Sequence, residues 1–239
     1  MSGESDLAAV GALVGDRVRA AILLRLLDGA GASASELAAA ADASPSLTSG
    51  HLKKLLAGGL VAVEPDGRRR VYRLASVEVA EMLEAMQHLA PEVPVTSLRG
   101  AGSKRRLRRA RLCYDHLAGV LGIAVTDALV RHDALRTDSD VLVLGDRSVE
   151  VLGEIGIDLE PLRAASRPVL RQCTDWTERR PHVAGGLGAA IAARMLDRRW
   201  VLRRPASRGL DVTLDGAAGL EEWLDLRVPE CEGWLESAS

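Results

Sequence analysis

Apolar residues recur along the N-terminal part of the chain with a spacing that changes from helical to alternating. Leu7 to Leu13 reads as a short helix broken at Gly15, and Asp16 stands where a side-chain oxygen caps the next helix. From Arg17, the apolar residues Val18, Ile22, Leu23 and Leu26 fall on one helical face, and the pattern stops near Gly29. Ser33 or Ser35 opens a short third helix with Leu37 as its main buried residue. After the turn Asp42-Ala43-Ser44-Pro45, Ser44 fits an N-cap and Pro45 the first helical position, where its missing N–H costs nothing. Leu47, Leu52, Leu55 and Leu56 carry that helix to Gly58-Gly59. There the period shortens to two. Leu60 to Val63 is β-prone, Pro65-Asp66-Gly67 is a turn, and Arg70-Val71-Tyr72-Arg73-Leu74 alternates, which predicts a hairpin with arginines at its tip. Ser76 then caps a helix with Val79, Met82, Met86 and Leu89 along one side; Pro91 and Pro94 end it, and the stretch to Ser103 reads as a linker.

Helix, helix, turn, helix, hairpin, helix is the order of a winged helix-turn-helix, whose second short helix enters the DNA major groove. The expected contacts are Ser46, Leu47, Thr48, Ser49 and His51 near the start of that helix, and Lys53 and Lys54 further along toward phosphate. Gly50 has no side chain to read a base, and His51 equally suits a structural partner. Arg68, Arg69 and Arg70 at the wing tip would reach an adjacent minor groove or the backbone; alone, such a cluster is also what a solvated turn looks like.

The second half contains an internal repeat. Cys113-Tyr114-Asp115-His116-Leu117-Ala118-Gly119-Val120-Leu121-Gly122 is echoed by Cys173-Thr174-Asp175 and then His182-Val183-Ala184-Gly185-Gly186-Leu187-Gly188. A helical run and a strand-like stretch follow each copy (Val141 to Leu144; Leu210 to Leu214), and a short helix closes each. The expected architecture is therefore mainly α with small β-hairpins. Residues 1–98 form a winged helix-turn-helix that binds DNA and dimerises. Residues 99–239 form a duplicated helix-strand-helix domain, a degenerate winged-helix-like sensor with repeats at about 113–160 and 173–226.

Four readings of the repeat stay open. Ala118/Gly122 and Ala184/Gly188, four apart on a helix, would let the two copies pack closely about a pseudo-two-fold axis, with the cysteines as small buried residues. The same axis would bring Cys113, His116, Cys173 and His182 together as a tetrahedral zinc set, with Asp115 or Asp175 orienting an imidazole; Cys113 and His116 suit one helical turn, whereas Cys173 and His182 are loosely spaced. Cys113 and Cys173 would also serve as a redox pair. Lastly, Tyr114, Asp115, Asp175, Trp176, Arg179 and Arg180 would line a small-molecule pocket.

Charge sharpens only part of this picture. The net charge of −2 hides a run from Arg99 to Arg111 with seven basic groups and no acid. That run would be a further DNA contact or a solvated face joining the halves. The three cysteines are too few and too scattered for a disulfide framework, so Cys231 has no evident partner. The polar start Met1-Ser2-Gly3-Glu4 lacks a signal-peptide pattern and no apolar run is long enough to span a bilayer, so the expected location is the cytoplasm, with no membrane partner. No phosphate loop, nucleophile elbow, zinc-hydrolase helix or dinucleotide fingerprint occurs, which argues against an enzyme.

The segments Gly15-Asp16-Arg17-Val18-Arg19-Ala20-Ala21-Ile22-Leu23, Ser35-Glu36-Leu37-Ala38, Ser49-Gly50-His51-Leu52-Lys53-Lys54-Leu55 and Gly67-Arg68-Arg69-Arg70-Val71-Tyr72-Arg73-Leu74 resemble the ArsR family of bacterial regulators. The second half resembles a C-terminal extension carried by a subset of them. The resemblance implies a homodimer on an inverted-repeat operator and repression relieved by an effector, a metal or a small molecule. The family's metal-sensing members carry a Cys-x-Cys pair before the recognition helix; Glu36 to Asp42 has no thiol here, and Glu78, Glu81, Glu84 and His88 do not form its other metal pattern. The alternative is a metal- or thiol-sensing or partner-binding module whose winged helix serves mainly dimerisation.

Overall fold

The computed structural model describes residues 5–67, 69–91, 94, 97–205, 207–228 and 235–236. They divide into two compact units, Met1–Met86 and Gln87–Ser239, the division falling inside a helix rather than in the proline-containing stretch after it.

In the first unit the order is α1 (Leu7–Val14), α2 (Arg17–Leu26), α3 (Ala34–Ala40), α4 (Pro45–Ala57), β1 (Val61–Asp66), β2 (Arg69–Leu74) and α5 (Val77–Leu89), the last running past the division. Each start has a physical cause. Asp16 accepts from the backbone N–H groups of Val18 and Arg19, Ser33 and Glu36 form a reciprocal capping box, and Ser44 caps α4 with Pro45 as its first residue. Ile22, Leu23, Leu26, Leu37, Leu52, Leu55 and Leu74 make the core, each essentially removed from water. β1 and β2 pair antiparallel from Val61↔Leu74 to Asp66↔Arg69, and Ala32 adds a third edge by exchanging two backbone hydrogen bonds with Tyr72. Pro65 and Asp66 thus lie in the strand, one step before the turn expected to contain them.

The second unit opens with α6 (Leu98–Arg109), capped by Ser97, where a linker was expected. Then follow β3 (Arg111–Cys113), β4 (His116–Ala118), α7 (Gly119–Arg131), β5 (Leu135–Asp138), β6 (Val141–Leu144), α8 (Ser148–Glu154) and α9 (Leu159–Ala164). The second copy comprises β7 (Arg171–Thr174), β8 (Pro181–Ala184), α10 (Gly185–Asp197), β9 (Val201–Arg203), β10 (Leu210–Thr213) and α11 (Leu214–Leu224). Each copy is hairpin, helix, hairpin, helix: the expected helix, strand and helix are present in that order, preceded by an antiparallel hairpin that holds the repeated Cys…His segment, which is therefore not a helical turn. Gly119 and Gly185, at φ 74° and 78°, turn the chain from each hairpin straight into its helix, a conformation that costs glycine no Cβ clash. The copies interlock. α7 packs on β8 and α10 on β4, and Thr126 on α7 accepts the Val183 N–H at 2.9 Å. Leu117, Leu121, Val125, Leu129, Val183, Leu187 and Ile191 share one core with Trp200 and Trp223. Among the described residues no helix is long and apolar enough to cross a membrane.

Candidate functional site

The face of α4 expected to meet DNA follows from how the helix is buried. Thr48, Leu52 and Leu55 form its inner face. Ser46, Leu47, Ser49, Gly50, Lys53 and Lys54 are exposed on the remainder. Leu47 is half exposed. Arg69 and Arg70 are exposed on the wing, the latter with its guanidinium 6.0 Å from the Tyr72 ring centre. Arg68 lies outside the described residues.

Two of the expected DNA contacts are corrected. Thr48 is fully buried and its hydroxyl donates to the Ser44 carbonyl at 3.0 Å, so it holds the first turn of α4 instead of facing a groove. His51 turns inward, with Nδ1 3.3 Å from Arg19 Nη1 and 3.5 Å from Asp16 Oδ1. Arg19 in turn donates to the carbonyls of Leu13 and Ala12 at 2.6 Å, so His51 belongs to a polar joint among α1, α2 and α4.

In the second unit the hairpin registers bring four chemical groups together. Cys113 is the cross-strand partner of His116 in the first hairpin, and Cys173 that of His182 in the second. One donor atom from each of the four lies within 4.8 Å of all the others. The two sulfurs are 3.8 Å apart and the imidazole rings 5.1 Å between centres. A tetrahedral zinc with bonds to sulfur of about 2.3 Å sets its two sulfurs about 3.8 Å apart, whereas a disulfide needs about 2.05 Å. His116 and His182 are almost wholly buried, and His116 Nε2 and both His182 nitrogens have no hydrogen-bond partner. Unsatisfied buried nitrogens are costly, and a metal ion relieves that cost.

The other nitrogen of His116 is taken. Its Nδ1 lies 3.3 Å from Asp115 Oδ1, and Arg167 donates to both oxygens of Asp115. This leaves Nε2 as the donor toward the sulfurs, the arrangement in which an outer carboxylate fixes a ligating histidine. Burial works against a charged His116, yet the hydrogen bond with Asp115 and the proximity of Cys173 raise its pKa to about 9. Cys173 is held far below the ordinary thiol range by its hydrogen bond with Cys113 and, against burial, by His116 and His182.

The six residues expected to line an effector pocket do not come together. Asp115 backs His116. Asp175 is buried and accepts from Arg111, from the Gly119 N–H at 2.6 Å, and from Thr177 and Glu178 within its own loop. Trp176 stacks under the Arg111 guanidinium at 5.0 Å. Tyr114, half buried, occupies the first hairpin's turn at φ 62°; Arg179 and Arg180 are exposed on the loop of the second, and Arg180 pairs with Asp127. A shallow depression of about 290 Å³ lined by Val149, Ile157, Leu159 and neighbours includes none of them. Arg111 was grouped with the exposed basic run but is fully buried, and Arg108 forms a two-pronged pair with Glu178. Cys231 lies outside the described residues. Arg167 carried no signal in sequence, because it sits in the connection between the two copies.

Residues 14–64 match the family model of a helix-turn-helix domain. Over 223 residues, 93% of this chain and 99% of the relative's, the chain is 37% identical to a protein of Bacillus subtilis strain 168 described as the uncharacterized HTH-type transcriptional regulator YdfF. Among solved structures it is similar to reduced HlyU of Vibrio cholerae (30% identity, 36% of this chain and 88% of that one, TM-score 0.33). It is also similar to the cadmium metal-sensor CMTR of Mycobacterium tuberculosis (31% identity, 39% and 100%, TM-score 0.30). The exposed helix α4 and its hairpin, with the helix-turn-helix family match and the YdfF relative, define a winged helix-turn-helix DNA-binding regulator. The chain belongs to the HTH-type transcriptional regulators, in the family that includes YdfF.

Proposed function

We propose that the protein is a repressor that acts in the cytoplasm as a homodimer on an inverted-repeat operator, and that its C-terminal unit is an effector domain built around one bound zinc ion. The ligands are Cys113, His116, Cys173 and His182. The observation that carries this reading is the convergence of two cross-strand Cys–His pairs in a buried site whose facing imidazole nitrogens have no other partner. Two thiolates and two imidazoles favour zinc over magnesium or calcium, which take oxygen ligands. Four protein ligands leave no open position, so the centre is of the closed, structure-bearing kind rather than a hydrolytic one. Because each copy supplies one cysteine and one histidine, the ion fastens the two halves of the domain to each other. The zinc-loaded form is the operator-binding form, and a change at the centre is the signal that releases it.

Mobility-shift titration on DNA from the protein's own promoter region tests this, with zinc-loaded and chelator-stripped protein side by side. Loaded protein should bind with an affinity that falls steeply with salt. Stripping should weaken it roughly tenfold or more, the ordinary size of a coupling between sites. Equal binding by both forms would remove the metal from the regulatory reading. Salt-insensitive binding, or none, would remove DNA.

A further inference from the structure

We propose that hydrogen peroxide is the chemical signal read by this centre: it joins Cys113 and Cys173 in a disulfide, and the ion leaves because the two sulfurs that hold it are consumed. The inference rests on the metal reading above. Its ground is the geometry of the two thiols. The sulfurs face each other at 3.8 Å from separate hairpins, so closing the gap by about 1.8 Å makes the bond. They serve either the metal or each other, not both. Their surroundings differ, and this gives the reaction an order. Cys113 is 3% exposed, while Cys173 is only partly buried and is the sulfur that a small oxidant reaches first.

The steps balance. The Cys173 thiolate attacks one peroxide oxygen, the O–O bond breaks, and the departing hydroxide takes a proton to become water. Cys173 is then a sulfenic acid and a poor metal ligand. The Cys113 thiolate attacks that sulfur, the S–O bond breaks, and a second hydroxide leaves and is protonated. One peroxide has been reduced to two waters, two thiolates have been oxidised to one disulfide, and the ion remains with two neutral imidazoles, too few to hold it in water. A dithiol reductant and fresh zinc reverse the sequence.

The test uses the full chain carrying Cys231→Ser, so that only these two thiols are present, loaded with zinc and freed of excess. Hydrogen peroxide is added in the presence of a coloured zinc indicator, and the products are mapped without reduction. The expected result is one zinc released for each Cys113–Cys173 disulfide formed, with recovery on reduction and reloading. In a Cys113→Ser variant the oxidation should stop at a sulfenic acid on Cys173 that a cyclic diketone traps. Zinc retained through excess peroxide would overturn the inference while leaving the metal site standing. Zinc loss accompanied by sulfinic acid and no disulfide would do the same. Failure of the reduced chain to bind zinc at all would overturn the metal reading, and this inference with it.

Discussion

Arg111 in the first copy of the repeat reaches Asp175 in the second, Nη2 to Oδ2 at 2.8 Å, and both side chains are wholly withdrawn from solvent. The pair is embedded. Arg111 also donates to the Leu107 carbonyl and lies over Trp176, and Asp175 takes the N–H of Gly119 at the hinge between β4 and α7. A buried charge left without its partner costs far more than the intact pair contributes. Arg111→Met or Asp175→Asn should therefore destabilise the second unit by about 3–5 kcal/mol. The double variant should lose less than the sum, and chemical denaturation of the four proteins in a double-mutant cycle measures the difference.

Asp115 should matter to metal affinity and little to folding. It is partly exposed and bonds to His116 and Arg167, and it fixes which nitrogen of His116 faces the sulfurs. Asp115→Asn should weaken zinc roughly 10- to 100-fold, as loss of an outer-sphere carboxylate does elsewhere, with the melting temperature of the metal-free chain unchanged. Competition with a chelator of known affinity reads the first quantity and calorimetry the second. An unaltered zinc affinity would mean that Asp115 serves only to anchor Arg167.

Along α4, neighbouring residues should behave oppositely. Thr48→Val removes a buried hydroxyl bonded to the Ser44 carbonyl and should cost about 0.5–1.5 kcal/mol of stability with little effect on DNA affinity in the folded protein. Lys53→Ala should leave stability alone, weaken binding to all sequences alike, and reduce the salt dependence by roughly one counterion. Ser46→Ala and Ser49→Ala should narrow the gap between operator and unrelated DNA. Arg69→Ala with Arg70→Ala should weaken binding as Lys53→Ala does. DNA binding that survives the arginine changes undiminished would mean that the wing has no role in it.

The first unit was legible because its signals are local. Caps, proline at the first helical turn, glycine stops and a change of period each act within a few residues of where they are read, as at Ser44-Pro45 and Gly58-Gly59. The inward turn of Thr48 was not legible, since a face is assigned by what packs against it; the structural role of His51 was one of its two readings, and its partners, Arg19 on α2 and the capping Asp16, lie far away in sequence. The centre in the second unit was half legible. Two ligand types, cysteine and histidine, in a repeated motif pointed to the four residues that the hairpins bring together, but helical spacing was the wrong ruler. Cys113 and His116 meet across a two-residue turn, and Cys173 and His182 meet in the same register across a six-residue loop, which is why the second spacing looked loose. Register, not separation in sequence, sets which side chains face each other in a hairpin.

The same correction reassigns the small residues of the repeat. Ala118 and Ala184 end strands, so Ala118/Gly122 and Ala184/Gly188 are not one stripe on a helix for another helix to approach. A Cβ added at Gly122 would stand 2.5 Å from the Leu117 carbonyl oxygen, and one at Gly188 would stand 2.7 Å from that of Val183 and 3.1 Å from the Cβ of His116. Each glycine thus lets a helix fold back tightly on the hairpin that precedes it, and Gly188 also borders His116 of the Cys–His cluster. The obstacles are backbone atoms that have no rotamer to yield. Gly122→Ala and Gly188→Ala should each cost about 1–3 kcal/mol or more, as overpacking of a closed site does, and Gly188→Ala should in addition weaken zinc by moving His116. Gly50 is the control. It is exposed in the middle of α4 with nothing within 4 Å of an added Cβ, so Gly50→Ala should stabilise the first unit by about 0.5–1 kcal/mol through helix propensity alone. Denaturant midpoints for the three variants, measured with and without zinc, separate the effects. A Gly188→Ala chain that binds zinc normally would show that His116 does not depend on the close fit beside it.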